Sequence, residues 1–82
     1  MLSTRFSINL RRLRHDYGLT QEELGEILNL AKSQISFYER GLSYPKADLV
    51  TRVAQYFNVP LTQLIETTIR PDFYLREVVT GE

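Results

Sequence analysis

Thr20-Gln21-Glu22-Glu23-Leu24-Gly25-Glu26-Ile27-Leu28-Asn29-Leu30-Ala31-Lys32-Ser33-Gln34-Ile35-Ser36-Phe37-Tyr38-Glu39-Arg40 is the stretch on which the fold turns. The Thr20 hydroxyl can accept from the backbone amide three residues on while Glu23 reaches back, so a capping box opens a helix here. Leu24, Ile27 and Leu28 carry that helix forward at helical spacing. Asn29 follows, a residue that tolerates left-handed backbone, and a further helix runs through Lys32, Ile35 and Tyr38 to Arg40, where Gly41 ends it. Two helices of about eight or nine residues, joined by about three, have the helix-turn-helix layout, in which the pair crosses steeply. Gly25 fits that layout. A glycine inside a helix costs roughly 1 kcal/mol relative to alanine, and close approach of the following helix is a reason to keep it.

Toward the N-terminus, Phe6, Leu10, Leu13 and Tyr17 recur at spacings of four, three and four, which predicts one apolar face of a first helix stopped by Gly18. Toward the C-terminus, Leu42-Ser43-Tyr44-Pro45 reads as a loop with its turn set by proline. Leu49, Val50, Val53, Ala54 and Phe57 then predict a fourth helix closed by Asn58, and Pro60 opens a short fifth through Leu61, Leu64 and Ile65. The remaining apolar residues, Ile69, Phe73, Tyr74, Leu75, Val78 and Val79, fit a short helix after Pro71 or a short strand, the helix being preferred. The chain therefore divides into an all-α body over residues 1–66 and a tail over residues 67–82. Six apolar residues between positions 69 and 79 exceed what so short a segment can bury by itself, so the tail is expected to serve as a contact surface, for dimerisation or for packing on its own body.

The chain has 82 residues, 43% of them hydrophobic, which suits one small domain and makes a multi-domain enzyme improbable. It contains no cysteine, so neither disulfides nor thiolate metal sites hold it together. No apolar run approaches the roughly 20 residues of a membrane span, nor does the start have the apolar stretch of a signal peptide, so a cytoplasmic location is expected. The formal net charge is zero, which is not the balance of a basic nucleic-acid binder. Its distribution is uneven: residues 1–65 hold eight Lys and Arg against six Asp and Glu, and residues 66–82 hold two against four. His15 has no second histidine or cysteine with which to share a metal. No nucleophile triad, paired-carboxylate signature or glycine-rich phosphate loop is present, so an enzyme is not expected, and neither is a cofactor.

Over residues 6–65 the sequence resembles the phage-repressor (Cro and cI-like) helix-turn-helix family of regulators. The resemblance rests on Leu10-Arg11-Arg12-Leu13-Arg14, on Gly18-Leu19-Thr20-Gln21-Glu22-Glu23-Leu24-Gly25, on Ile35-Ser36-Phe37-Tyr38-Glu39-Arg40-Gly41, and on Pro45 with Val59-Pro60-Leu61. It implies a compact five-helix, lambda-repressor-like DNA-binding domain with its third helix in the major groove. Three departures concern helix ends and packing: Ala31 and Lys46 stand where a capping residue is usual, and Gly25 where alanine is commoner. A lost cap costs about 1 kcal/mol.

On the third helix Ala31, Ile35 and Tyr38 share one face and should point inward, leaving Lys32, Ser33, Ser36, Phe37 and Arg40 outward. Given the resemblance, Lys32, Ser33, Ser36 and Phe37 are expected at base edges, Phe37 against a thymine methyl. Thr20 and Gln21 at the positive end of the second helix, with Arg40 and Tyr44, are expected to hold backbone phosphates. Arg14 and Glu39 match positions that in many relatives form a partly buried ion pair, and Arg11 and Arg12 are expected to be solvated, adding long-range attraction. The expected function is a double-stranded DNA-binding regulator, a repressor acting as a homodimer. The alternatives are an antitoxin whose tail covers a toxin, and the controller protein of a restriction–modification system.

Overall fold

The computed structural model describes residues 5–66, and the tail whose helical reading was preferred lies outside the described residues. Within them the chain forms five helices: α1 (Arg5–Asp16), α2 (Gln21–Leu28), α3 (Lys32–Glu39), α4 (Ala47–Phe57) and α5 (Leu61–Glu66), with no strand among the described residues. The periodic apolar positions meet in one core, where Phe6, Leu10 and Leu13 of α1 join Leu24, Leu28, Ile35, Val53, Phe57 and Leu64. α1 lies between α3 and α5, α2 packs on α3 and α4, and α4 also meets α5. Burial of side chains of this size is worth roughly 1.5–3 kcal/mol each, which is the term that holds helices too short to be stable alone.

Local chemistry sets where the helices stop. Gly18 and Gly41 take positive φ (67° and 74°) just past the ends of α1 and α3, and Asn29 and Asn58 take left-handed backbone (φ 61° and 57°) at the ends of α2 and α4. At Pro60 the carbonyl accepts from Leu64 N at 3.1 Å, so the proline stands just before α5 rather than within it. Ala31 and Lys46 cap α3 and α4 with extended backbone and no side-chain bond. At Ala31 part of the loss is recovered, since Gln34 Oε1 accepts from its amide at 3.0 Å.

The structure corrects several expectations from periodicity. Tyr17 does not extend the buried face of α1. It follows the helix end and is 53% exposed, with its hydroxyl donating to Phe57 O at 3.3 Å and its ring edge-on to Phe57 at 4.8 Å. Ala31 is exposed rather than inward, because as the cap it precedes the helical path that its spacing assumed. Ile27, Leu61 and Ile65 are each more than one-third exposed. Gly25 is required by a close approach, although not by the third helix itself: a Cβ there would lie 2.5 Å from the carbonyl oxygen of Leu30 in the turn. That carbonyl is brought in because Leu30 N donates to Gly25 O at 2.7 Å. Arg52 of α4 completes the joint by donating to Leu28 O.

Candidate nucleic-acid interface

The start of α2 is built by Thr20 and Glu23. Glu23 N donates to Thr20 Oγ1 at 3.0 Å and Thr20 N donates to Glu23 Oε1 at 2.8 Å, so the capping box is complete. The Thr20 hydroxyl retains its own proton for an outside acceptor. Thr20 is exposed and Gln21 half-buried, and both border an open depression with Leu19 and Lys32, so the first residues of α2 and α3 share one surface.

Burial of Ile35 fixes the roll of α3, and Tyr38 packs partly against the same core with its ring edge-on to Phe6 at 6.2 Å. Lys32, Ser33 and Phe37 are thereby exposed, Ser36 is half-buried, and Arg40 is exposed just beyond the last turn. The Arg40 guanidinium carbon stands 5.4 Å from the Phe37 ring centroid. A cation over an aromatic face accounts for part of the stability of an exposed Phe37 without any outside contact.

Beneath this surface lies a polar network. Arg14 Nε donates to Glu39 Oε2 at 2.6 Å and Arg14 Nη2 donates to Glu39 Oε1 at 3.1 Å, a two-point pairing of side chains only 11% and 3% exposed. Arg14 Nη1 also donates to Leu19 O at 2.9 Å, and Gln21 Nε2 donates to Glu39 Oε1 at 3.1 Å. The fork geometry of a guanidinium suits such pairing, and three helices are joined by it. α1 supplies Arg14, α2 supplies Gln21, α3 supplies Glu39. Gln21 is therefore not a free surface amide: one of its two amide protons is committed to the interior.

The structure thus brings Lys32, Ser33, Ser36, Phe37, Arg40, Thr20 and Gln21 to neighbouring positions on α2 and α3. Tyr44 does not border the depression at the start of α2. It is 80% exposed and borders an apolar groove of about 350 Å3 whose other walls include Phe6, Val50, Leu61 and Ile65. Asn9 was missed from the sequence. It is fully buried on α1, and its Nδ2 donates to Leu64 O at 2.8 Å and to Gln63 O at 3.3 Å, tying α5 to the body. Among the described residues no group of three or more His, Cys, Asp or Glu could hold a metal, and no helix is long and apolar enough to cross a membrane.

Two short helices crossing at a tight left-handed turn, the second presenting a polar and aromatic face, define the helix-turn-helix class of DNA-binding domain. The helix-turn-helix family model matches residues 10–64, and the chain belongs to that family of transcription regulators. It is 33% identical over 60 residues to the cryptic phage CTXphi transcriptional repressor RstR of Vibrio cholerae, covering 73% of this chain and 54% of that protein. It is 32% identical over 57 residues to antitoxin PezA of Streptococcus pneumoniae, covering 70% of this chain and 36% of that one. The restriction-modification controller protein C.AhdI of Aeromonas hydrophila superposes with a TM-score of 0.67 at 27% identity, over 76% of this chain and 94% of its own. The chain spans about half the length of the phage repressor and about a third of the antitoxin.

Proposed function

We propose that this helix-turn-helix regulator acts as a repressor, binding as a homodimer to a palindromic operator in double-stranded DNA. Lys32, Ser33, Ser36 and Phe37 read base edges from α3, while Thr20, Gln21, Arg40 and Tyr44 hold phosphates and set the register. The observation that carries the reading is the α3 surface itself: its outward residues are hydrogen-bonding or aromatic, and the buried Arg14–Glu39 pair holds the helix rigidly against α1. The homodimer is supported by the apolar groove beside α5, where Leu61 and Ile65 stand 40% and 39% exposed. In sequence, the apolar residues of the tail begin four positions after Ile65. No cofactor is needed for any of these contacts.

Selection of bound duplexes from random DNA tests the proposal. The expected product is a roughly two-fold symmetric sequence with half-sites about 10 base pairs, or a multiple, apart. A single asymmetric half-site refutes the dimer, and no enrichment over input refutes sequence-specific binding.

A second reading, an antitoxin whose DNA binding serves autoregulation, is favoured by the similarity to PezA together with the same apolar groove. It requires a toxin gene beside the coding gene. A methylase gene there points instead to a controller protein, in keeping with the likeness to C.AhdI.

A further inference from the structure

Between α1 and α3 lies a cleft of about 330 Å3 lined by Arg11, Arg14, Gln21, Ser36, Glu39 and Arg40. Three guanidinium groups and one carboxylate line it, a formal excess of two positive charges. The carboxylate is fully engaged, since Glu39 Oε2 accepts from Arg14, and Glu39 Oε1 accepts from both Arg14 and Gln21. Arg14 and Glu39 therefore neutralise each other in the floor of the cleft. Arg11 and Arg40 remain, both exposed, one from each wall, and among the described residues neither has an ion-pair partner. Two like charges on the lining of one cleft are relieved by an anion that both can reach. Neutral donors are at hand too: the Ser36 hydroxyl and the second amide proton of Gln21.

We infer that this cleft seats one phosphodiester group of the DNA backbone, gripped by Arg11 of α1 together with Arg40 of α3. The inference rests on the DNA-binding reading and extends it to α1. It also separates two residues that look alike in sequence. Arg12 is not part of the cleft and borders only a shallow depression with Ile8, Arg11 and His15. Arg11 borders both. A phosphate held there ties α1, as well as the helix-turn-helix, to the duplex. A single phosphodiester charge leaves the cleft still positive, so nothing in the balance opposes its entry.

The test is the salt dependence of binding by the full chain to a labelled duplex, for the parent, Arg11→Ala, Arg11→Lys and Arg12→Ala. Each neutralised phosphate contributes about 0.9 to the slope of log affinity against log salt. Arg11→Ala is expected to lose about 0.9 of the slope and bind several-fold more weakly, Arg11→Lys to keep most of the slope, and Arg12→Ala to match the parent. Circular dichroism melts of all four should coincide, because Arg11 is exposed and Arg12 only half-buried. A parental slope in Arg11→Ala, or an equal loss in Arg12→Ala, overturns the inference. If the parent itself binds no duplex at any salt concentration, the DNA-binding reading has failed, which is a different result.

Discussion

Removal of the Glu39 carboxylate is the perturbation whose effect follows most directly from the geometry. In Glu39→Ala, Arg14 Nε, Arg14 Nη2 and Gln21 Nε2 lose their acceptors together. Arg14 keeps only the bond to Leu19 O among its strong partners, in a side chain 11% exposed. Breaking one side of a buried pair costs about 3–5 kcal/mol, against under about 1 kcal/mol for an exposed one. The cleft beside Arg14 admits water, which places the expected loss near the lower end, about 3 kcal/mol. For a domain of this size that corresponds to a fall in Tm of roughly 12–24 °C. DNA binding should weaken at the same time, since the network holds Gln21 and the roll of α3. Thermal and urea unfolding followed by circular dichroism measure it, and Glu39→Gln, which keeps an acceptor in the same place, should lose less. In a double-mutant cycle, Arg14→Met with Glu39→Ala should cost less than the two single changes added, because no uncompensated charge is left. A stability change below about 1 kcal/mol for Glu39→Ala would refute the reasoning, showing the pair to be screened as at an open surface.

Gly25→Ala should destabilise by about 1–3 kcal/mol despite alanine's higher helix propensity, because the new Cβ meets the Leu30 carbonyl; equal or raised stability in urea unfolding contradicts the close approach. Ala31→Ser should raise stability by about 1 kcal/mol, since the residue already has the extended backbone of a cap and lacks only the oxygen; a fall in Tm counts against that account. Lys32→Ala should relax base preference in competition binding, whereas Gln21→Ala should weaken all sequences nearly equally, and swapped outcomes reverse the assigned roles. Truncation after Glu66 should abolish the dimer in ultracentrifugation while the helical circular dichroism signal persists. A truncated chain that remains dimeric removes the tail from the interface, and one that unfolds assigns the tail to the core.

Much of the fold is local chemistry and so was legible along the chain. The Thr20–Glu23 capping box, the left-handed asparagines 29 and 58, and the spacing of Phe6, Leu10 and Leu13 along α1 each depend on residues within one or two turns of each other. Those signals place five helices and expose the outer face of α3. Three-dimensional packing decided the rest. Asn9 looks like a solvated helical residue until the carbonyls of Gln63 and Leu64 are folded onto it from more than fifty positions away. The spacing of Tyr17 continues α1, yet its place depends on where Phe57 ends α4. Gln21 reads as a free amide at a helix start, but Glu39 arrives from the third helix and takes one of its protons. Arg11 and Arg12 are adjacent and chemically identical, and only the packing of α3 against α1 gives one of them a cleft. Periodicity reports which side of a helix is buried, because burial repeats with the turn of the helix itself. It does not report which distant group a polar side chain will meet, because that depends on how separate helices cross.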